Sequence, residues 1–278
     1  MAHAWGSRVV SRTKIENLSI HPTAIVADEA QISPEASIGP YCVVSGAVSI
    51  GAGTVVESHV RLGSRFGEVV IGQDNYIQSG AAIGGPPQDR SYEESRTRLE
   101  IGNRNRIGEN VTVHLGTAKG GGVTRIGSDT LLMAYSHVAH DCQVLDGASL
   151  INLAQLSGHV TVEEGAIVGG IVAVSQFVRL GALSFLALGA MVNKDILPYT
   201  IAEGHWAVPK ATNKVGLQRA GYSAEDVREI DNAIRLLLDR SKTIDVAVAE
   251  IGAASTSCSG VEHLLEFVSS SRRGLARP

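Results

Sequence analysis

The chain has 278 residues, a formal net charge of −4, 31 glycines and only 4% aromatic residues. That length suits one large domain or one domain with a smaller appendage, and the scarcity of rings excludes a core of aromatic anchors in favour of thin layers of Val, Ile, Leu and Ala. Mild acidity and scattered basic residues exclude a nucleic-acid partner.

The opening segment, MAHAWGSRVVSRTKIENLS, has no apolar run of signal-peptide length. No stretch reaches the ~18 apolar residues of a membrane span. A cytoplasmic protein with no stable membrane insertion is expected. Cys42, Cys142 and Cys258 lack metal-knuckle spacing and read as buried, reduced thiols.

From Ile20 an aliphatic residue recurs every six positions: Ile20, Val26, Ile32, Ile38, Val44, Ile50, Val56, Leu62. A mostly small residue follows four places after each, as at Ala24, Ala30, Ala36 and Cys42. The phase slips at Arg65–Val69 and resumes at Ile71, Ile77 and Ile83, then at Ile101, Ile107 and Val113. From Ile126 to Val192 it is unbroken. Neither an α-helix nor a hairpin repeats at six, whereas a short strand plus a turn does. Three such units close a triangular coil, so residues eighteen apart stack at the inter-strand spacing of about 4.8 Å. A parallel β-helix over residues 1–197 is expected, interrupted by insertions at 84–98 and 116–124, the usual place for a solenoid's function.

Beyond Val192 the period ends. Pro198 and Pro209 read as a linker into an α-helical domain over 198–278. Ser223 to Asp226 reads as a helix start. Thr243–Ile251 and Val261–Ser269 read as further helices, separated by the Gly252–Gly260 loop. Such a domain caps the open solenoid end.

The eighteen-residue coil places His140, Gly158 and Gln176 in one column. Asp141, His159 and Phe177 form the next column, and Ala139, Ser157 and Ser175 the one before. Any one of these residues is ordinary at a turn; their stacking is not. One chemistry for the strip is metal binding by His114, His137 and His140, since three histidines with an open position suit zinc. The other is acyl transfer to a hydroxyl. There His140 serves as base, Asp141 orients it, and the Gly158 N–H meets the developing oxyanion. Gln88 and Asp89, in the first insertion, would hold the acceptor.

The segments IHPTAIV, IGNRNRIGENVTVHLGT, GGGVTRIGSDTLLMAYSHVAHDC, LSGHV and the final RRGL resemble the acyl-carrier-protein-dependent UDP-N-acetylglucosamine O-acyltransferases of lipid A synthesis. The resemblance runs from about His21 to the C-terminus. It implies a homotrimer of left-handed β-helices with sites between subunits, acyl carrier protein as donor, a sugar nucleotide as acceptor, no cofactor and no metal. By the same resemblance His140 is the general base, Asp141 its partner and Gly158 the oxyanion donor. Gln88 and Asp89 hold the sugar. His114, His137, His159 and Gln176 line the cleft, and Asn213 and Arg219 contact the nucleotide end. Leu188 stands where the family sets acyl length, and a side chain of that size implies a shorter chain.

Four positions depart from the pattern. Ser175 replaces a cleft histidine, Ser91 a lysine, Val215 a glutamate and Ala220 the second of two arginines. Losing charge-assisted contacts of about 1.5–3 kcal/mol each leaves open a variant acceptor, including N-acylation of an amino sugar. A metal-dependent hydratase and an inactive scaffold also stay open.

Overall fold

The computed structural model describes residues 19–254 and 258–278. The reading of the first eighteen residues lies outside them, as do residues 255–257 of the predicted loop.

The six-residue period becomes a left-handed parallel β-helix of three ladders. Strands of two residues pair at a spacing of eighteen, as in His137↔Gln155, Gln143↔Thr161 and Ser149↔Ile167. The first sheet runs through Ile25–Val26, His137–Val138 and Met191–Val192. The second contains Gln143–Val144 and Thr161–Val162, the third Ser149–Leu150 and Phe185–Leu186. Each aliphatic of the repeat from Ile38 to Val192 is buried. Leu132, Leu150 and Leu156 are fully enclosed, so truncation of any to alanine would cost about 2–5 kcal/mol.

The insertions leave the stack intact. Pairing widens to Ala82↔Thr112 across the first and to Thr112↔His137 across the second. Both insertions emerge at the corner between the first and second sheets. Inside the prism, around these coils, the small-residue column turns polar. Asn105 N–H donates to Asn75 Oδ1 at 3.0 Å, and Thr130 Oγ1 donates to Asn105 Oδ1 at 2.8 Å. Each buried amide also finds a backbone carbonyl, Asn75 that of Gly102 and Asn105 that of Gly127, so the ladder carries little desolvation penalty.

Pro198 and Pro209 do not mark a linker. Thr200–Gly204 pairs in parallel with Phe185–Leu186 and turns back antiparallel into Ala207–Thr212, extending the third sheet. Pro209 is tolerated there because its strand lies at the sheet edge. Among the described residues four helices follow: α1 Lys214–Arg219, α2 Ala224–Leu238, α3 Ile244–Ala254 and α4 Ser259–Ser269. Ser223 and Asp226 form the expected capping box. The short α1 was not legible, because six residues containing a glycine give no periodicity. Its start is held by Asn213, whose Oδ1 accepts from Gly216 N–H at 3.0 Å.

The cap docks on a buried carboxylate. Glu163, at a solenoid turn, accepts from Arg179 at 2.9 Å, from His263 of α4 at 3.0 Å and from Ala182 N–H at 2.9 Å. Burial opposes its ionisation, but these donors prevail and hold its pKa below the ordinary 4.5. The hydrogen bond to Glu163 raises His263 above its ordinary 6.5. The Glu163 contribution is present above pH 4.5 and fades as pH falls through its lowered value. The His263 contribution is complete below pH 6.5 and fades as pH rises through its raised value. The difference in Tm between the wild type and His263→Gln should therefore be largest between those two pH values and shrink above them. Thermal melts across pH 4–9 check this, and a gap that stays constant to pH 9 refutes it.

Candidate active site

Of the three corners of the prism, the one between the first and second sheets carries the polar strip. Its turns place Asp141, His159 and Phe177 at φ of 61°, 62° and 65°. These left-handed corners let a two-residue strand turn into the next face within one hexapeptide, and they aim successive side chains outward.

His140 and Asp141 are each only 5% exposed. His140 Nδ1 lies 2.8 Å from Asp141 Oδ2. The carboxylate also accepts from Thr117 N–H at 2.8 Å and from Thr117 Oγ1 at 2.7 Å, while Asp141 N–H donates to Thr124 Oγ1 at 2.8 Å. Because Thr117 Oγ1 receives Gly120 N–H at 3.0 Å, its own proton is directed at Asp141. With a carboxylate at Nδ1, the network assigns the proton to Nδ1 and leaves His140 Nε2 as a base. The second insertion thus clamps the carboxylate that orients the imidazole. A Cβ on Gly120 would stand 2.2 Å from the Asp141 carboxyl group, so only glycine lets this loop approach. The clamp by Thr117 and Thr124 was not foreseen; its signal was the threonine at each end of the glycine-rich GTAKGGGVT loop.

Gly158 lies directly against the His140 ring. A Cβ there would fall 2.5 Å from Cε1 and 2.7 Å from Nε2. Among the described residues no protein oxygen accepts the Gly158 N–H. The His159 ring packs edge-on to His140, with centroids 5.1 Å apart, and stacks on Phe177 at 4.4 Å. Gln176 is exposed beside them and Ser175 is half-buried.

The first insertion reaches the same corner. His114 Nδ1 meets Pro86 O at 2.6 Å, and the fields of His140 and Lys119 act on Asp89. Asp89 accepts from Ser91 N–H at 2.8 Å and from Ser91 Oγ, which holds its carboxyl below the usual range. Gln88 is exposed next to it. His137 Nδ1 pairs with Thr112 Oγ1 at 2.7 Å. Burial, reinforced by His114 and His140, lowers His137 to about 4. Burial also lowers His114, against the Pro86 carbonyl, and His159, against Asp141. These three rings are neutral at pH 7 and act as hydrogen-bonding groups rather than cations.

The structure does not assemble His114, His137 and His140 as metal ligands. The donor atoms that converge are those of His140, Asp141 and His159, all within 4.8 Å of one another, a set that could also hold a cation.

Three predicted residues lie elsewhere in the chain. Leu188 sits at the corner between the third and first sheets and is 75% exposed, which rules out core packing within one chain. Asn213 lies at the third corner, where its amide donates to Leu183 O at 2.8 Å. Arg219 ends α1, exposed, with Val215 and Ala220 close by in sequence.

Residues 195–276 match the family model described as Udp N-acetylglucosamine O-acyltransferase, Domain 2. The chain resembles the solved structure of UDP-N-acetylglucosamine O-acyltransferase (LpxA) from Moraxella catarrhalis. Identity is 37% and the TM-score 0.89, over 94% of this chain and 100% of that one. LpxA from Acinetobacter baumannii is 35% identical with a TM-score of 0.89, over 93% and 100%. The Arabidopsis UDP-N-acetylglucosamine acyltransferase is 28% identical with a TM-score of 0.82, over 92% and 99%.

Proposed function

The chain belongs to the UDP-N-acetylglucosamine O-acyltransferase family, and from that premise we propose that it moves an acyl chain from acyl carrier protein to the 3-hydroxyl of UDP-N-acetylglucosamine in lipid A synthesis. The observation that carries this reading is the His140–Asp141–Thr117 relay, which leaves Nε2 as an oriented base beside the Gly158 N–H.

In the proposed reaction Nε2 removes the proton of the sugar hydroxyl as its oxygen attacks the thioester carbonyl. The carbonyl oxygen gathers charge and accepts the Gly158 N–H. Collapse breaks the carbon–sulfur bond, and the imidazolium returns its proton to the leaving thiolate. Asp141 stabilises that imidazolium without itself taking the proton. Gln88 and Asp89 position the sugar, with His114, His137, His159 and Gln176 as uncharged cleft walls. The scheme draws on no resident cofactor and no metal, and it places the protein in the cytoplasm, where its carrier and nucleotide are found. No helix among the described residues is long and apolar enough to cross a membrane.

The working unit in this proposal is a homotrimer. Leu188 and Asn213 occupy the other two corners and Arg219 ends α1 in the cap, so the proposal has another copy bring them to the His140 strip. Tyr135, Leu153 and Ile171 stack on the Leu188 corner, 57%, 46% and 57% exposed, an apolar edge suited to a second subunit.

Mass spectrometry of products from a panel of acyl-carrier thioesters and sugar nucleotides tests the reading. An acylated UDP-sugar is the expected product, and none with any donor sinks the reading. The panel includes a 3-amino sugar nucleotide, because Ser91 engages Asp89 where a lysine is the family pattern, which changes how the acceptor is held.

Leu188 should set a short chain. At roughly 0.8 kcal/mol per buried methylene, excluding the last few methylenes separates donors by about a hundredfold. A ten-carbon donor is expected to outperform a fourteen-carbon donor in kcat/KM, and Leu188→Gly to reverse the order. A wild-type preference for fourteen carbons refutes the assignment.

A further inference from the structure

The strip that carries His140 continues past Gln176. One coil on, the turn Asn193–Asp195 closes it, and pairing tightens from Val174↔Val192 to Leu180↔Ile196. The C-terminal segment runs alongside this turn. Asp195 N–H donates to Gly274 O at 3.0 Å, and Ala276 N–H donates to Asp195 O at 2.9 Å. Arg273 reaches the Asn193 carbonyl at 3.3 Å. Lys194, Arg272 and Arg273 are thereby gathered at one end of the strip, all exposed, and among the described residues none of them makes an ion pair.

The acids at this end do not neutralise them. Asp195 is 1% exposed and occupied by Arg179 N–H and by Ser271 Oγ. Glu163 is committed to Arg179 and His263. Glu262 and Glu266 are exposed on α4, and among the described residues they form no ion pair with the three cations. A chain of net charge −4 thus presents unpaired positive charge where its reactive edge ends.

Three coils separate His140 from Lys194, about 14 Å at the inter-strand spacing. A thioester carried on a long, phosphate-linked arm by an acidic protein requires cations at that kind of remove from the base. We propose that Lys194, Arg272 and Arg273 dock the acidic face of the acyl carrier protein, and that its arm runs past Gln176 to His140. The proposal rests on the carrier-dependent reading above and assigns it a surface.

Steady-state kinetics on the full chain test it, with acyl-carrier thioester and free acyl-phosphopantetheine as donors at two ionic strengths. In the triple variant Lys194→Glu, Arg272→Glu, Arg273→Glu, the carrier KM should rise at least about tenfold, with kcat and the sugar-nucleotide KM unchanged. Salt should raise the wild-type carrier KM and leave the variant's nearly flat. Lys194→Glu alone, which disturbs no C-terminal contact, should show part of the effect even if the triple variant folds poorly. An unchanged carrier KM overturns the proposal, as does an equal loss on free acyl-phosphopantetheine, which would mean that the cations read only the arm's phosphate. A wild type that uses neither donor overturns the functional reading, and the docking surface with it.

Discussion

Replacing His140 by alanine should lower acyl transfer by about 10²–10⁴-fold while the β-helix still folds. The side chain lies outside the aliphatic column, and Asp141 keeps both donors from Thr117 when the imidazole is removed. Asp141→Asn should be comparably damaging for a different reason. The site offers three donors to this residue, Thr117 N–H, Thr117 Oγ–H and His140 Nδ1–H, which a carboxylate accepts together. An amide accepts on one side only. If its NH₂ faces the imidazole, the His140 proton moves to Nε2 and the base is lost. If it takes the Oδ1 side, it faces the Thr117 N–H and two buried donors oppose each other. Asparagine tolerates the left-handed φ of 61° at this position, so the backbone has no reason to move. Thr117→Val keeps the backbone donor and removes only the hydroxyl, an effect of about 1 kcal/mol, roughly fivefold in rate. The checks are single-turnover rates and the pH profile of kcat/KM. The order His140→Ala ≈ Asp141→Asn ≫ Thr117→Val supports an oriented base. Full activity in His140→Ala would show that the strip is not catalytic.

The sequence made the solenoid legible because a solenoid is nearly one-dimensional. Its period alone says which side chains stack, and this put His140 under Gly158 and Gln176 correctly. The capping box at Ser223 was legible for a similar reason, since its hydrogen bonds close within four residues. The Pro198–Pro209 segment was not. Prolines punctuate a one-dimensional reading, yet an edge strand accepts Pro209, and its pairing to Phe185–Leu186 by way of Thr200–Gly204 is a tertiary fact without a local pattern. The Thr117 clamp was hidden in the same way. It joins an insertion to a corner 24 residues onward, which is not a whole number of eighteen-residue coils, and the insertion itself breaks the six-residue phase between them. Asn75 and Asn105 stand where the repeat has a mostly small residue, and the geometry that satisfies their amides appears only once the coils are stacked. Asn213 carries a binding expectation from the resemblance, and its bonds to Gly216 N–H and Leu183 O, which hold it at the start of α1, are a further role that the sequence pattern does not show.

Gly158→Ala should cost about a hundredfold or more in kcat with little change in the KM of the sugar nucleotide. The φ of Gly158 lies outside the left-handed region, so alanine meets no backbone strain there. The conflict is with the imidazole, since the new methyl carbon would sit 2.5 Å from Cε1 and 2.7 Å from Nε2 of His140. The ring cannot simply withdraw, because Nδ1 is tied to Asp141, which Thr117 holds in turn. It must tilt, and a displacement of about 1 Å in a reacting group can cost 10²-fold. Overpacking of this kind costs about 1–3 kcal/mol of stability, which a melt separates from the loss of rate. The decisive comparison is a double-mutant cycle. If the methyl acts through the imidazole, Gly158→Ala should have almost no further effect once His140 is alanine, because the group it displaces is gone. If it costs as much in that background as alone, the methyl acts instead on the carbonyl oxygen bound at the Gly158 N–H, and the close packing of ring on glycine is not what positions the base.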